Sequence, residues 1–168
     1  MNTTQLNRST DILLIEDDPY DAELTLDPLR TLRLPNRIIH LPDGADLPDY
    51  LRGRGPYASR GAARLPAVIF LDVTLSILDD LSVLAAFQAV PEFRHIPVFM
   101  LTGSQAERDR CSSRLLGVAG YIVKPIEVHE FCEALRRAGL SWMLAHRSAH
   151  AVQPAVQSAT RLFAQPAC

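Results

Sequence analysis

The chain has 168 residues, 48% of them hydrophobic and 21% charged, with a formal net charge of −2. That is the length of one domain with some excess, and enough apolar material for a core that needs no disulfide or metal staples. The charge balance excludes the basic footprint of a nucleic-acid binder, and no apolar run is long enough to span a membrane.

Residues 1–10 are polar and lack the apolar stretch of a signal peptide, so they read as a disordered N-terminal segment of a cytoplasmic protein. An apolar run follows at 11–15, and others come at 37–41, 67–71, 97–101 and 120–123. Most are rich in Ile, Val, Leu and Phe without polar alternation, the pattern of strands buried on both faces. The segments between them have helical spacing: 22–32, 45–51, 81–87, 106–116 and 128–144. Asp18 followed by Pro19 marks the first helix start, as a cap with proline at the first helical position. Ser104 and Glu107 match a capping box directly after the fourth run. Residues 53–66 hold Gly53, Gly55, Pro56, Gly61 and Pro66 among scattered arginines, and read as an exposed, solvated loop. The last helix is expected to reach about His146, and 147–168 to be a tail that frays by default, with Leu162 and Phe163 able to dock on the body or on a partner. Cys111, Cys132 and Cys168 are odd in number and form no CxxC pair, which fits a reducing compartment rather than a disulfide framework or zinc site.

Strands alternating with helices imply an α/β fold: a five-stranded parallel sheet with helices on both faces. Such sheets bind ligands at the carboxyl ends of their strands. The first run ends in Glu16-Asp17-Asp18, the third in Asp72, the fourth in Thr102-Gly103-Ser104 and the fifth in Lys124-Pro125. Clustered carboxylates repel one another, and a divalent cation such as Mg²⁺ relieves this with oxygen ligands. A carboxylate oxygen can also act as a nucleophile and form an acyl phosphate, with a lysine and a hydroxyl to hold the phosphoryl oxygens. Taken singly, Asp18 reads as a helix cap, Thr102 as a strand-end turn residue and Lys124 as a surface charge. Their joint occurrence, each at a different strand end, is the signal.

At this point the chain resembles the response regulator receiver family. The resemblance rests on Leu13-Leu-Ile-Glu-Asp-Asp18, Phe70-Leu-Asp72, Met100-Leu-Thr-Gly-Ser104 and Gly120-Tyr-Ile-Val-Lys-Pro125, and covers residues 11–144. It implies a flavodoxin-like receiver fold with strand order 2-1-3-4-5, a receiver domain over 11–146, and a signalling protein rather than an enzyme. Asp72 would be the phosphoacceptor. Asp17 would bind Mg²⁺ directly, Glu16 through water, and the Thr74 backbone carbonyl would be a third protein ligand. Lys124 would pair with Asp72 and then with the phosphoryl group. Thr102 and Tyr121 would be the switch pair, and the Lys124–Pro125 bond would be cis.

A subgroup of single-domain regulators that work with bacterial phytochromes is the nearer resemblance. It rests on Glu16-Asp-Asp-Pro-Tyr-Asp21, the long 53–66 loop and Leu140-Ser-Trp-Met-Leu144. It implies a sensor histidine kinase as partner, with a bacteriophytochrome as the one this subgroup points to. It also implies an unknown downstream protein and a homodimer through the C-terminal part, where the 147–168 tail lies. Packing of Trp142 within its own chain is the equal alternative. The chain departs from the family at Ser76 and Asp80, where proline and glycine are usual, which leaves open a degenerate receiver used only as a binding module. A haloacid-dehalogenase-like phosphohydrolase shares a strand-end Asp, which Asp72-Val-Thr74 resembles. That class places its nucleophile on the first strand and needs a cap domain for which this length has no room.

Overall fold

The computed structural model describes residues 11–60, 65–73, 84–85, 87–112, 117–144 and 157–158. Five parallel strands, β1 (Ile12–Ile15), β2 (Ile38–Leu41), β3 (Val68–Asp72), β4 (Val98–Thr102) and β5 (Gly120–Val123), lie in the order 5-4-3-1-2. This is the expected order read from the other edge. Four of the expected runs began one residue too early. Asp11, Arg37, Ala67 and Pro97 still join the network: Ile12 N donates to Arg37 O, Ala67 N to Asp11 O and Ile69 N to Pro97 O.

Residues successive along a strand face opposite sides of the sheet, and both sides are covered. Leu13, Ile15, Ile69, Leu71 and Met100 join one core, closed by Leu47, Tyr50 and Leu51 of α2 (Leu47–Arg52) and by Leu84 and Phe87. Ile12, Leu14, Val68, Phe70 and Phe99 join the other. That core is closed by Leu26 and Leu29 of α1 (Pro19–Arg30) and by Phe131, Ala134 and Leu135 of α4 (Val128–Arg137). The remaining helix, α3 (Gln105–Ser112), follows β4 directly. Phe131 stacks on Phe70 with ring centroids 5.1 Å apart, and Phe70 on Phe99 at 5.7 Å. Such aromatic contacts add to the area buried, the dominant stabilising contribution.

The start of α1 follows its sequence signal: the Asp18 side chain accepts from the N–H groups of Tyr20 and Asp21, with Pro19 behind it. The end of the last helix departs from expectation. The apolar spacing continues to Leu144, but α4 stops at Arg137. Gly139 takes φ +73°, Leu140 N donates to Leu135 O, and Gly139 N donates to Arg136 O. This paired closure terminates the helix. The chain then forms a short 3₁₀ turn, Ser141–Leu144, that buries Met143 and packs Leu140, Trp142 and Leu144 against their own core. Of the two readings of this apolar group, the structure shows packing within the chain.

One element is added and one expectation needs correction. The five expected parallel strands stand, and a two-residue strand, β6 (Gln157–Ser158), joins the outer edge of β2 in parallel, so this part of the tail docks on the body. Its physical basis is the otherwise open outer edge of β2, whose backbone groups need partners. The 53–66 loop is not wholly solvated: Gly55–Arg60 is a 3₁₀ segment whose Tyr57 is buried and donates its hydroxyl to Asp46 at 2.8 Å.

Candidate functional site

β1 and β3 are neighbours in register, Ile15 opposite Leu71, so the residues that follow them meet at the rim of the sheet. Glu16, Asp17 and Asp72 each bring a carboxylate oxygen within 4.8 Å of the others. Glu16 is 1% exposed and Asp72 fully buried. Glu16 is fixed twice. Its Oε1 accepts from Asp18 N at 3.2 Å, and its backbone carbonyl lies 2.8 Å from His40 Nε2.

Lys124 closes the site from β5. Its backbone N–H donates to Thr102 O at 2.7 Å, and the Lys124–Pro125 bond is cis, as the resemblance implied. The ammonium donates to Glu16 Oε2 at 2.9 Å and Asp21 Oδ2 at 2.7 Å, and stands 3.2 Å from Asp72 Oδ1. Burial opposes its charge, yet the hydrogen bonds to Asp21 and Glu16 and the charge of Asp72 prevail, so its pKa is raised. The Glu16 pKa is raised as well, which here favours the neutral form. Its burial is the largest cause, countered by the Lys124 hydrogen bond and reinforced by the Asp72 charge, and its pKa rises to about 7.

Three carboxylates, those of Glu16, Asp21 and Asp72, thus surround one ammonium, and Asp17 adds a fourth beside Glu16 and Asp72. A buried excess of negative charge with oxygen donors on one side is the environment that a hard divalent cation fits. Glu16, Asp17 and Asp72 could hold such an ion. Thr74, expected to add its carbonyl, lies outside the described residues, as do Ser76 and Asp80.

Thr102 ends β4 fully buried, with its hydroxyl 3.5 Å from Ile122 O, a long and weak contact directed at the next strand. Tyr121, half-buried, packs at the margin of the first core and borders an open cleft with Arg108, His129 and Arg137. The structure therefore brings together Glu16, Asp17, Asp72 and Lys124, with Thr102 at the end of β4 and Tyr121 further back on β5, opposite Met100. The residue that sequence reasoning passed over is Asp21. It was noted as part of a motif, but nothing in the motif shows that the first turn of α1 lies against the end of β5.

An acidic rim closed by a lysine, on a parallel sheet ordered 2-1-3-4-5, is the arrangement of a receiver-type fold. No family profile matches the chain. The response regulator Rcp1 of Synechocystis sp. is 30% identical over 132 residues, 79% of this chain and 88% of its own. The structure of the Mn(2+)-bound form of Rcp1 matches 85% of this chain and 98% of its own, at TM-score 0.59 and 28% identity. The bacteriophytochrome response regulator AtBRR is 40% identical and superposes at TM-score 0.73, over 80% of this chain and 95% of its own. The phosphorylated cyanobacterial phytochrome response regulator RcpA is 29% identical at TM-score 0.60, over 84% and 97%. The chain belongs to the response regulator family, as a receiver domain related to phytochrome-associated regulators.

Proposed function

We propose that the protein is a response regulator that accepts a phosphoryl group on Asp72 from the phosphohistidine of a sensor kinase of the bacteriophytochrome class. The observation that carries this reading is the Lys124 ammonium, 3.2 Å from Asp72 and bonded to Glu16, with Asp17 completing an acidic cluster. In the reaction an Asp72 carboxylate oxygen forms a bond to phosphorus as the phosphorus–nitrogen bond to the donor histidine breaks. Lys124 offsets charge on the phosphoryl oxygens, and positioning supplies most of the acceleration. Mg²⁺, held by Glu16, Asp17, Asp72 and the Thr74 carbonyl, would supply charge neutralisation at the transferred oxygens.

Thr102 then bonds a phosphoryl oxygen and Tyr121 turns inward, altering the surface between segments 106–116 and 128–144. Output is a change in protein contacts with a downstream protein, in the cytoplasm. The phytochrome pairing is supported by what AtBRR and RcpA are named for. The reading includes a homodimer through the C-terminal part. Leu140, Trp142 and Leu144 pack on their own core but stay partly exposed, so they can still contribute to that pairing.

The test is intact mass after incubation with acetyl phosphate, with and without Mg²⁺. The expected result is a Mg²⁺-dependent gain of one phosphoryl group. No gain in the wild type would replace this reading with that of a degenerate binding module. Mass in solution with and without label checks the dimer, and a monomer throughout would remove it.

A further inference from the structure

Lys124 has three N–H bonds, and three carboxylates surround it. Its shortest contact, 2.7 Å, is to Asp21, which belongs neither to the sheet nor to the acidic pair after β1. Asp21 stands in the first turn of α1, where its own N–H is held at 2.9 Å by the Asp18 cap. Its side chain is 39% exposed, while those of Glu16 and Asp72 are 1% and 0% exposed, so it covers the solvent side of the ammonium. The contact to Asp72 is the longest of the three, at 3.2 Å. The resting site thus directs its one cation chiefly at two carboxylates that do not react.

A phosphoryl group on Asp72 needs the same N–H bonds. Each proton of an ammonium serves one strong acceptor at a time, so donation to a phosphoryl oxygen competes with donation to Glu16 and Asp21. Glu16 would turn toward a bound divalent cation, which weakens its hold. Asp21 lies outside the 4.8 Å cluster and has no such alternative.

We propose that Asp21 is a positioning residue that holds Lys124 in its resting arrangement and competes with the incoming phosphoryl group for it. This rests on the reading of Asp72 as phosphoacceptor. Removing the Asp21 charge frees the ammonium and tightens the site for a tetrahedral anion. The gain is limited because Asp21 is partly exposed and its attraction is screened: roughly three- to tenfold in affinity.

The experiment titrates the full chain with beryllofluoride in the presence of Mg²⁺, followed by fluorine NMR of the bound anion. It compares wild type, Asp21→Asn, Asp21→Glu, Lys124→Gln and the Asp21→Asn/Lys124→Gln double variant. The expected result is tighter binding in Asp21→Asn, wild-type affinity in Asp21→Glu, and no gain from Asp21→Asn once Lys124 is removed. If Lys124→Gln binds too weakly to titrate, the initial rate of labelling by acetyl phosphate carries the same comparison. An equal gain without Lys124 would overturn the proposal in favour of a general field effect, and no gain in Asp21→Asn would overturn it outright. Either result leaves the phosphoacceptor reading standing, provided the wild type binds the anion. A wild type that neither binds beryllofluoride nor takes label overturns both.

Discussion

Lys124 Nζ stands 3.2 Å from Asp72 Oδ1 although β4 separates the strands that carry them. Two strand spacings are about 9.6 Å, and only a long, unbranched side chain crosses that gap beneath the end of β4. Shorter basic residues have no such reach. Asp72 is therefore paired with a cation supplied from the strand beyond its neighbour β4.

Asp72→Asn is expected to take up no label while keeping the fold. It also removes one of several carboxylates that share a single ammonium. In the absence of divalent metal at pH 8 the variant should be more stable than wild type, by about 1 kcal/mol, as like-charge repulsion with Glu16 is relieved. Intact mass and urea midpoints check both parts, and a fall in midpoint would show that the Lys124 pairing outweighs the repulsion.

The pKa of Glu16, raised from 4.5 to about 7 mainly by burial, sets a pH dependence with a definite sign. A carboxyl whose folded pKa lies above its unfolded value favours the fold at low pH and loses that contribution as the pH rises. In metal-free protein the loss from this group begins near pH 4.5, is complete above about 7, and amounts to ~3 kcal/mol at most. Affinity for a divalent cation runs the other way, strengthening through the same window as Glu16 loses its proton. Calorimetric titration with Mg²⁺ between pH 5.5 and 8.5 checks this, with Glu16→Gln expected to flatten both profiles.

Thr102→Ala should still be labelled, because its hydroxyl is directed at Ile122 O through a long contact. The loss is expected downstream. Labelling should no longer change the environment of Tyr121, as read by near-ultraviolet circular dichroism or by exchange of the β5 amides. Stability should change by less than ~1 kcal/mol. An unaltered Tyr121 response would remove Thr102 from the switch.

Phe131→Ala removes a fully buried ring that stacks on Phe70 beneath the sheet. It should cost about 3–5 kcal/mol, measured as a shift in urea midpoint. The acidic rim lies outside that core, so labelling chemistry should survive under conditions where the variant is folded.

Much of this was legible from the chain. The unbroken apolar runs ending in Ile15, Leu71 and Leu101 gave the buried strands, and the polar residues after them gave the rim, because in a parallel sheet all strands end on one side. Asp18-Pro19 fixed the start of α1 for the same local reason. What was hidden depended on contacts between distant segments. Leu140, Trp142, Met143 and Leu144 continue a helical spacing, yet Gly139 leaves the helix first and the same residues pack through a turn. Gln157–Ser158 carries no apolar pattern, because a two-residue edge strand is held by backbone bonds rather than by side chains. Asp21 is an ordinary acidic residue in a first helical turn until folding brings that turn against Lys124.

Tyr121 and Ile122 are adjacent in β5, but one packs on the core closed by α2 and the other on the core closed by α1 and α4. The sheet therefore separates two cores, and β5 sends one residue into each. Thr102 touches β5 at the Ile122 carbonyl, the peptide group that follows directly on Tyr121 and Ile122, so one contact at the end of β4 adjoins the residues that enter both cores. Substitutions that repack one core therefore leave the other untouched, while both remain tied to the same strand.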